Sequence, residues 1–476
     1  MDASPPPRRS GIRLALEYTG IPASWLSARP RLPSRNWCIF LTFTTSFISY
    51  YAYDRRQART IRATYVDRVK HLSEEPMSSM QLPRKVVVYG AKCPGDEDYQ
   101  RAIKFFKKYI KPVFVAAAID YDIVATPHTG DLTNLIASSV INQRRVALGL
   151  DHPAVPLVTL PNQLTPEQKR VRELEGGTVI IGRHTLKEYM AGLKKGWTGG
   201  VDKIDREESL ALELASDGTF DEPEELPPGI VNDPEGEPIP TPSRLPSSLN
   251  VAVLSPLKLP VSSSRPPLSD LIPMDSPIFP AYPPLLLVPF TNYVGFRYIP
   301  HMIWDFLNER HKVRAGCEAA CALIDGQTRE FQGPDLHPGS EEIPLFDGQS
   351  GDLDFLLSCE SFIRPHSPLS NITSSRKSYY ASLPDRLSTA RQLARSERER
   401  TKEEEENPPP SEVELRAERL KKELRWRDEE MGWEIVRPES GVSWDERFRG
   451  ALKIFEPSEL DKGSGEKAEH KQNDGA

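Results

Sequence analysis

Eighteen consecutive uncharged residues, Asn36 to Tyr53, stand between Arg35 and Asp54-Arg55-Arg56 in "SRNWCIFLTFTTSFISYYAYDRR", near the front of an otherwise polar chain. Water is a poor solvent for so much contiguous apolar surface, so any fold must find it cover. As a helix the segment spans roughly 27 Å, close to the ~30 Å hydrocarbon core of a bilayer. Five of its residues are hydroxylic (Thr42, Thr44, Thr45, Ser46, Ser49), and a helix in lipid tolerates these by bonding each back to a carbonyl one turn earlier. Trp37 at one edge and Tyr50, Tyr51 and Tyr53 at the other suit headgroup depth, with arginines beyond both ends. The expectation is a single N-terminal transmembrane helix over 36–53, anchored by Trp37, Ile39, Phe40, Leu41, Phe43, Phe47, Ile48, Tyr50, Tyr51 and Tyr53. Thr42, Thr45 and Ser49 are then a candidate contact face, since small and polar side chains let membrane helices associate.

Two other readings stay open, a buried core helix and a removable signal. The second is disfavoured because 35 residues precede the segment and Tyr-Tyr-Ala-Tyr-Asp-Arg-Arg follows it in place of a small-residue cleavage site. Charge gives no direction across a membrane. Residues 1–35 carry six Arg against Asp2 and Glu17, and residues 54–70 carry six Lys/Arg against Asp54 and Asp67. The basic, acid-poor N-terminal segment, with Arg8, Arg9 and Arg13, has the composition of a mitochondrial targeting segment.

Beyond the apolar stretch, "RKVVVYGAKCPGDED" reads as a strand at Lys85–Tyr89 ending in a Gly/Pro loop, followed by a helix over about 97–110. An apolar run, a helix over about 131–147 and the strand–helix pair "GGTVIIGRHTLKEYMAGLKKGW" complete a small α/β domain over 84–200 with a largely parallel sheet. Proline then sets the limits: 18 of the chain's 45 prolines lie between Pro223 and Pro289. Residues 201–282 are accordingly expected as a disordered linker that buries too little apolar area to offset its ordering entropy. Residues 283–325 read as a strand at Leu285–Val288 and an amphipathic helix over 301–321. Residues 379–455 read as a charged helical region whose seam runs through Val413, Ala417, Leu420, Leu424 and Met431, with a strand at "GWEIVRP". Val413, Leu420 and Leu424 join the candidate partner contacts, and residues 456–476 are expected as a disordered tail.

Motifs for chemistry are scarce. Net charge is −7, so no basic field draws in nucleic acid. "GAKCPGD" lacks the Gly-Lys-Ser/Thr of a phosphate loop, and the glycines of "GGTVIIG" surround a strand where the dinucleotide fingerprint needs them after it. Cys317 and Cys321 lack a second ligand pair for zinc, and the nine histidines have no metal spacing. His184 reads as a helix-start residue. Cys93 is the one candidate nucleophile, a loop thiol with no His placed beside it by sequence. The expectation is no cofactor, no metal and no catalytic residue, with a thiol enzyme and a soluble interaction protein as alternatives.

Several segments together carry a resemblance: "LPSRNWCIFLTFTTSF" with "YDRR", "LPRKVVVYGAKCPGD", "YIKPVFVAAAIDYDIV", "VIIGRHTLKEYMAGLKKGW", "LLLVPFTNYVGF", and "PPPSEVELRAERLKKELRWRDEEMGWEIV" followed by "WDERFRGALKIF". From Leu32 to Phe455, outside the Pro-rich linker, the chain closely resembles the fifty-four-kilodalton subunit family of the fungal mitochondrial inner-membrane carrier translocase. The resemblance implies a single-pass inner-membrane scaffold with its N-terminus in the matrix and its large domain in the intermembrane space. It further implies as partners the channel-forming subunit, the small hexameric chaperones that deliver multispanning carriers, and an inner-membrane metalloprotease complex whose assembly the family is linked to. No catalytic residues come with it. The small chaperones carry paired Cys-x-x-x-Cys motifs, whereas this chain has a single one, as befits their docking partner.

Overall fold

The computed structural model describes residues 34–77, 83–151, 166–202, 205–221, 280–334, 351–362, 368–399 and 408–457. In chain order these form α1 (Arg35–Val69), α2 (His71–Glu74), β1 (Lys85–Gly90), α3 (Arg101–Tyr109), α4 (Lys111–Ala116), β2 (Asp120–Ala125), α5 (Asp131–Ala147), α6 (Pro166–Gly176), β3 (Thr178–Ile181) and α7 (Gly182–Thr198). There follow α8 (Arg206–Ala215), β4 (Leu285–Val288), α9 (Ile299–Leu307), α10 (Glu309–Asp325), β5 (Thr328–Glu330), α11 (Leu369–Ala394), α12 (Glu412–Val436) and β6 (Lys453–Phe455).

Six strands make one sheet in the order β2-β1-β3-β4-β6-β5. Its first five members run parallel and β5 pairs antiparallel to β6 at the edge. A parallel sheet needs helices on both faces, and alternation along the strands supplies two apolar surfaces for them. Val86, Val88, Val179 and Ile181 face one layer, built from α3, α4, α10 and the second half of α1. Ile180, Leu285 and Ile454 face the other, built from α5, α7 and the Trp444–Leu452 segment. The strand of the 283–325 region and one from the C-terminal region thus belong to the same sheet as the 84–200 region.

Several local differences from the sequence reading have clear causes. The single helix expected over 301–321 breaks at Asn308 (φ −117°, ψ 48°), where the buried Asp54 carboxylate accepts the Glu309 N–H at 3.0 Å and the Arg310 N–H at 3.4 Å and so caps a new helix. "GWEIV" is the end of α12, not a strand. Asp205 caps α8 through the N–H groups of Glu207 and Glu208, giving a helix within the stretch expected as linker. Residues 222–279 and the tail after 457 lie outside the described residues.

The largest correction concerns the N-terminal segment. Among the described residues no helix is long and apolar enough to cross a membrane, which overturns the transmembrane reading of 36–53 and the single-pass topology built on it. The five hydroxyls and the terminal tyrosines dilute the segment's hydropathy. Thr42, Thr44 and Thr45 satisfy themselves on the carbonyls of Cys38, Phe40 and Leu41 at 2.8, 2.8 and 2.6 Å. The same helix then runs without a break into charged residues fixed to the domain. Tyr65 donates to Glu318 at 3.2 Å and Arg68 pairs with Asp325 at 2.8 Å, so its second half lies alongside α10.

Candidate functional site

In an open parallel sheet the ligand crevice lies at the carboxyl ends of the two strands where the chain order reverses. Here that point falls between β1 and β3, because β2 lies on one side of β1 and β3 and β4 follow on the other. Loop Ala91–Pro94 leaves β1, and α7 starts directly after β3 at Gly182, whose φ of +80° permits the immediate turn into a helix. Thr185 ties the two ends, accepting the Ala91 N–H at 3.1 Å and donating to the Ile181 carbonyl at 2.7 Å.

This fold brings together two residues that sequence left apart: Cys93 Sγ lies 3.4 Å from His184 Nε2. The pair is not armed as a nucleophile and base. Nε2 also lies 3.1 Å from the Ala91 carbonyl, an obligate acceptor, so that nitrogen carries the proton and has no lone pair for the thiol. Burial pushes the Cys93 thiol far above its ordinary pKa and lowers His184 to about 4, keeping both neutral. The thiolate that cysteine chemistry requires is therefore suppressed.

The rest of the crevice is filled by the chain itself. Arg183 donates to the carbonyls of Leu353 (2.5 Å) and Phe355 (3.1 Å) and pairs with Glu360 at 3.0 Å. Lys187, wholly buried, pairs with Glu360 and donates to the Arg437 carbonyl at 2.9 Å. These contacts lock residues 351–362 and the end of α12 over the strand ends, leaving a cavity of ≈ 20 Å³ beside Cys93, His184 and Cys359. That is room for about one water molecule. Among the described residues no group of His, Cys, Asp and Glu is arranged to hold a metal. Cys317 and Cys321 are buried in the sheet–α10 core.

Deeper under α7, the Glu188 carboxylate is buried at the start of α5, where burial, helped by the charge of Asp131 and partly countered by the nearby backbone N–H groups of Gly130, Leu132 and Thr133, raises it to about 8. Gly130 begins α5 with a φ of +88°, and Gly432 of α12 is seated against the Thr129 carbonyl, where a Cβ would come within 2.3 Å. Helix α7 meets α5 through Gly192 and Gly196, one turn apart, and both oxygens of the buried Glu188 carboxylate lack a hydrogen-bond partner.

The candidate contact residues lie elsewhere, on surfaces. Trp37, Ile39, Phe40, Leu41, Phe43, Phe47, Ile48, Tyr50 and Tyr53 are exposed on the first half of α1, with Phe43 at 72%. Tyr51 is half-buried against Phe306. Thr42, Thr45 and Ser49 are on the same projecting half. On α12 the predicted seam splits: Val413 is 77% exposed, while Leu424 and Met431 line a groove shared with Leu210 of α8. The face of α12 that packs inward is instead Leu415, Arg419, Glu423, Trp426 and Trp433. It is joined to α11 by Arg386–Glu418 (2.7 Å), Arg376–Glu423 (3.3 Å) and Tyr380–Glu423 (2.8 Å). Apolar periodicity alone missed it because two of its five members are charged.

Known proteins resemble this chain over most of its length. The family described as inner membrane protein import complex subunit Tim54 matches residues 14–434. The mitochondrial import inner membrane translocase subunit TIM54 of Cryptococcus neoformans var. neoformans serotype D is 38% identical over 462 residues, covering 96% of this chain and 97% of that protein. The corresponding subunit of Aspergillus oryzae is 31% identical over 328 residues (66% and 70%), and that of Candida albicans 27% identical over 373 residues (71% and 89%). With a match over most of its length and a relative aligned nearly end to end, the chain belongs to the Tim54 family of subunits of the mitochondrial inner-membrane protein import translocase.

Proposed function

We propose that the chain serves the translocase as a non-enzymatic scaffold, helping to dock the small intermembrane-space chaperones while multispanning carriers are inserted. The observation that carries this reading is the self-filled crevice: the position where this architecture holds a ligand is occupied by Arg183, Lys187 and Glu360 of the chain itself. What remains open to partners is surface. The projecting half of α1, including Thr42, Thr45 and Ser49, is the contact for the channel-forming subunit, and α12, with Val413 exposed and Leu420 and Leu424 half-buried, is a second contact. Assembly of an inner-membrane metalloprotease complex would use the same scaffold property. Exposed apolar side chains of this size favour association because each loses about 1.5–3 kcal/mol of hydration penalty when covered. The test is carrier insertion in mitochondria whose only copy is a variant. Cys93→Ser is expected to leave insertion intact, whereas Phe43→Ser with Phe47→Ser is expected to lower both insertion and co-purification of the channel-forming subunit. Loss of insertion in a folded, assembled Cys93→Ser protein would refute the non-enzymatic reading.

A further inference from the structure

Helix α9, "IPHMIWDFL", is apolar in six of its nine residues, yet none of the nine is buried. Trp304 is 66% exposed and the preceding Phe296 87%; Ile299, Met302 and Ile303 are exposed with them. The helix is nevertheless firmly seated. Tyr293 and Tyr298 bracket its start against Phe362, with ring centroids 5.0 and 5.5 Å away. Its end is fixed by the Tyr51–Phe306 stack at 5.3 Å and by the Tyr50 hydroxyl donating to Asn308 at 2.5 Å. A rigid helix that offers large apolar side chains outward is built to be covered.

Two further observations say by what. First, α9 sits at the level where α1 changes character: Tyr50 and Tyr51 touch it at the end of the uncharged segment, and Arg55 at the start of the charged one donates to the Phe306 carbonyl at 3.3 Å. Apolar surface on α9 is therefore continuous with the projecting half of α1, and charge begins immediately behind both. Second, behind α9 opens a groove of ≈ 370 Å³ lined by Arg55, Arg101, Lys108 and Lys312 with the carboxylates of Asp305 and Glu309. Arg55 and Lys108 converge on the single Glu309 carboxylate, Lys312 pairs with Asp305 at 2.8 Å and Arg101 with Asp96 at 2.9 Å, so four cations face three carboxylates and one positive charge is in surplus. The Lys108 ammonium is lowered from its ordinary pKa first by burial and then by Arg55, Lys312 and Arg62 around it. An apolar strip bordered by such a groove has the layout of a helix lying in a bilayer interface, with acyl chains under the strip and anionic headgroups beside it.

We propose that α9 is an interfacial docking helix: Phe296, Ile303 and Trp304 insert at the headgroup–acyl boundary, and the groove between Lys108 and Lys312 takes the phosphate of an anionic phospholipid. This surface lies flat on a membrane and is independent of the scaffold reading above. The test uses the full chain with phosphatidylcholine vesicles, either plain or doped with phosphatidylglycerol. Trp304 is read as the difference between wild type and Trp304→Phe, and phospholipids brominated near the headgroup end of their chains act as quencher. Quenching of the Trp304 signal is expected, together with ~10-fold tighter binding to the anionic vesicles, a preference that Lys108→Ala with Lys312→Ala removes while quenching on neutral vesicles remains. Ile303→Ser with Trp304→Ser, at positions that support no core, is expected to weaken vesicle binding at least ~10-fold. Vesicle binding with Trp304 unquenched would assign attachment to α1 alone and overturn the proposal. Protection of Trp304 only when other subunits are added would overturn it in favour of a protein partner.

Discussion

Helices α1 and α7 are mismatched in opposite senses. The first half of α1 is among the most apolar stretches of the chain and is exposed, whereas α7 carries Arg183, His184, Lys187 and Glu188 and is buried through Leu193. Hydropathy decides what a segment costs in water, but topology decides what reaches it. Helix α7 starts at the central strand β3 and is enclosed by the sheet, α5 and α12, so Arg183 and Lys187 pair with Glu360 and His184 meets the Ala91 carbonyl, while both oxygens of the Glu188 carboxylate lack a hydrogen-bond partner and burial keeps the group neutral. The first half of α1 projects from the domain before Asp54, and among the described residues it meets α9. One helix carries buried charge for which Glu360 supplies part of the pairing, and the other leaves large apolar side chains exposed, the surface proposed above for partner contact.

Breaking the buried member of this comparison should have the largest effect. A Cβ on Gly196 would stand 2.6 Å from Val140 Cβ and 3.1 Å from the Ala137 carbonyl, and one on Gly192 would stand 2.8 Å from Ile136 Cβ and 2.9 Å from the Thr133 carbonyl. Gly192→Val with Gly196→Val is expected to cost about 3 kcal/mol or more through overpacking, read as a fall in the denaturation midpoint. Glu188→Gln sharpens the same region in the other direction. The folded-state carboxyl holds its proton to about 8 against an ordinary 4.5, so the native state binds more protons and wild-type stability falls as pH rises between these values. The variant, neutral throughout, should match wild type below the lower value. It should gain on it by up to about 1.4 kcal/mol per pH unit through the window and reach a plateau above the upper.

These interior features were only partly legible in the sequence. The valines of "KVVVY" and the β-branched "TVII" gave β1 and β3, and a helix was legible at Asp131–Ala147. Strands β5 and β6 are three residues each, too short for alternation to register, and they are strands only because the sheet edge is there to pair with. The break at Asn308 depends on Asp54, more than 250 residues earlier, and local pattern carries no trace of it. The Cys93–His184 approach is hidden likewise, since it depends on β1 and β3 being neighbours. For α1 the uncharged segment and its aromatic edges are visible in the sequence, but the weight of five hydroxyls and the continuation as one helix from Arg35 to Val69 into the domain are not.

Smaller effects test the closed crevice and the open surface. Cys93→Ser places a hydroxyl in the same tight space and should cost about 1 kcal/mol, with no change in the translocase. Phe43→Ser, on the projecting half of α1, should alter the stability of the isolated chain by less than about 0.5 kcal/mol and act only on association. A large loss of stability from Phe43→Ser would mean that the first half of α1 is covered by its own chain, collapsing the contrast with α7.

The most direct measurement replaces Phe43 by a photoreactive phenylalanine in intact mitochondria and identifies what it captures on illumination. A covalent adduct with another subunit of the import translocase is expected, lost when the same group replaces the buried Phe106. An adduct of Phe43 with its own domain, or the absence of any protein adduct in an assembled complex, would contradict it.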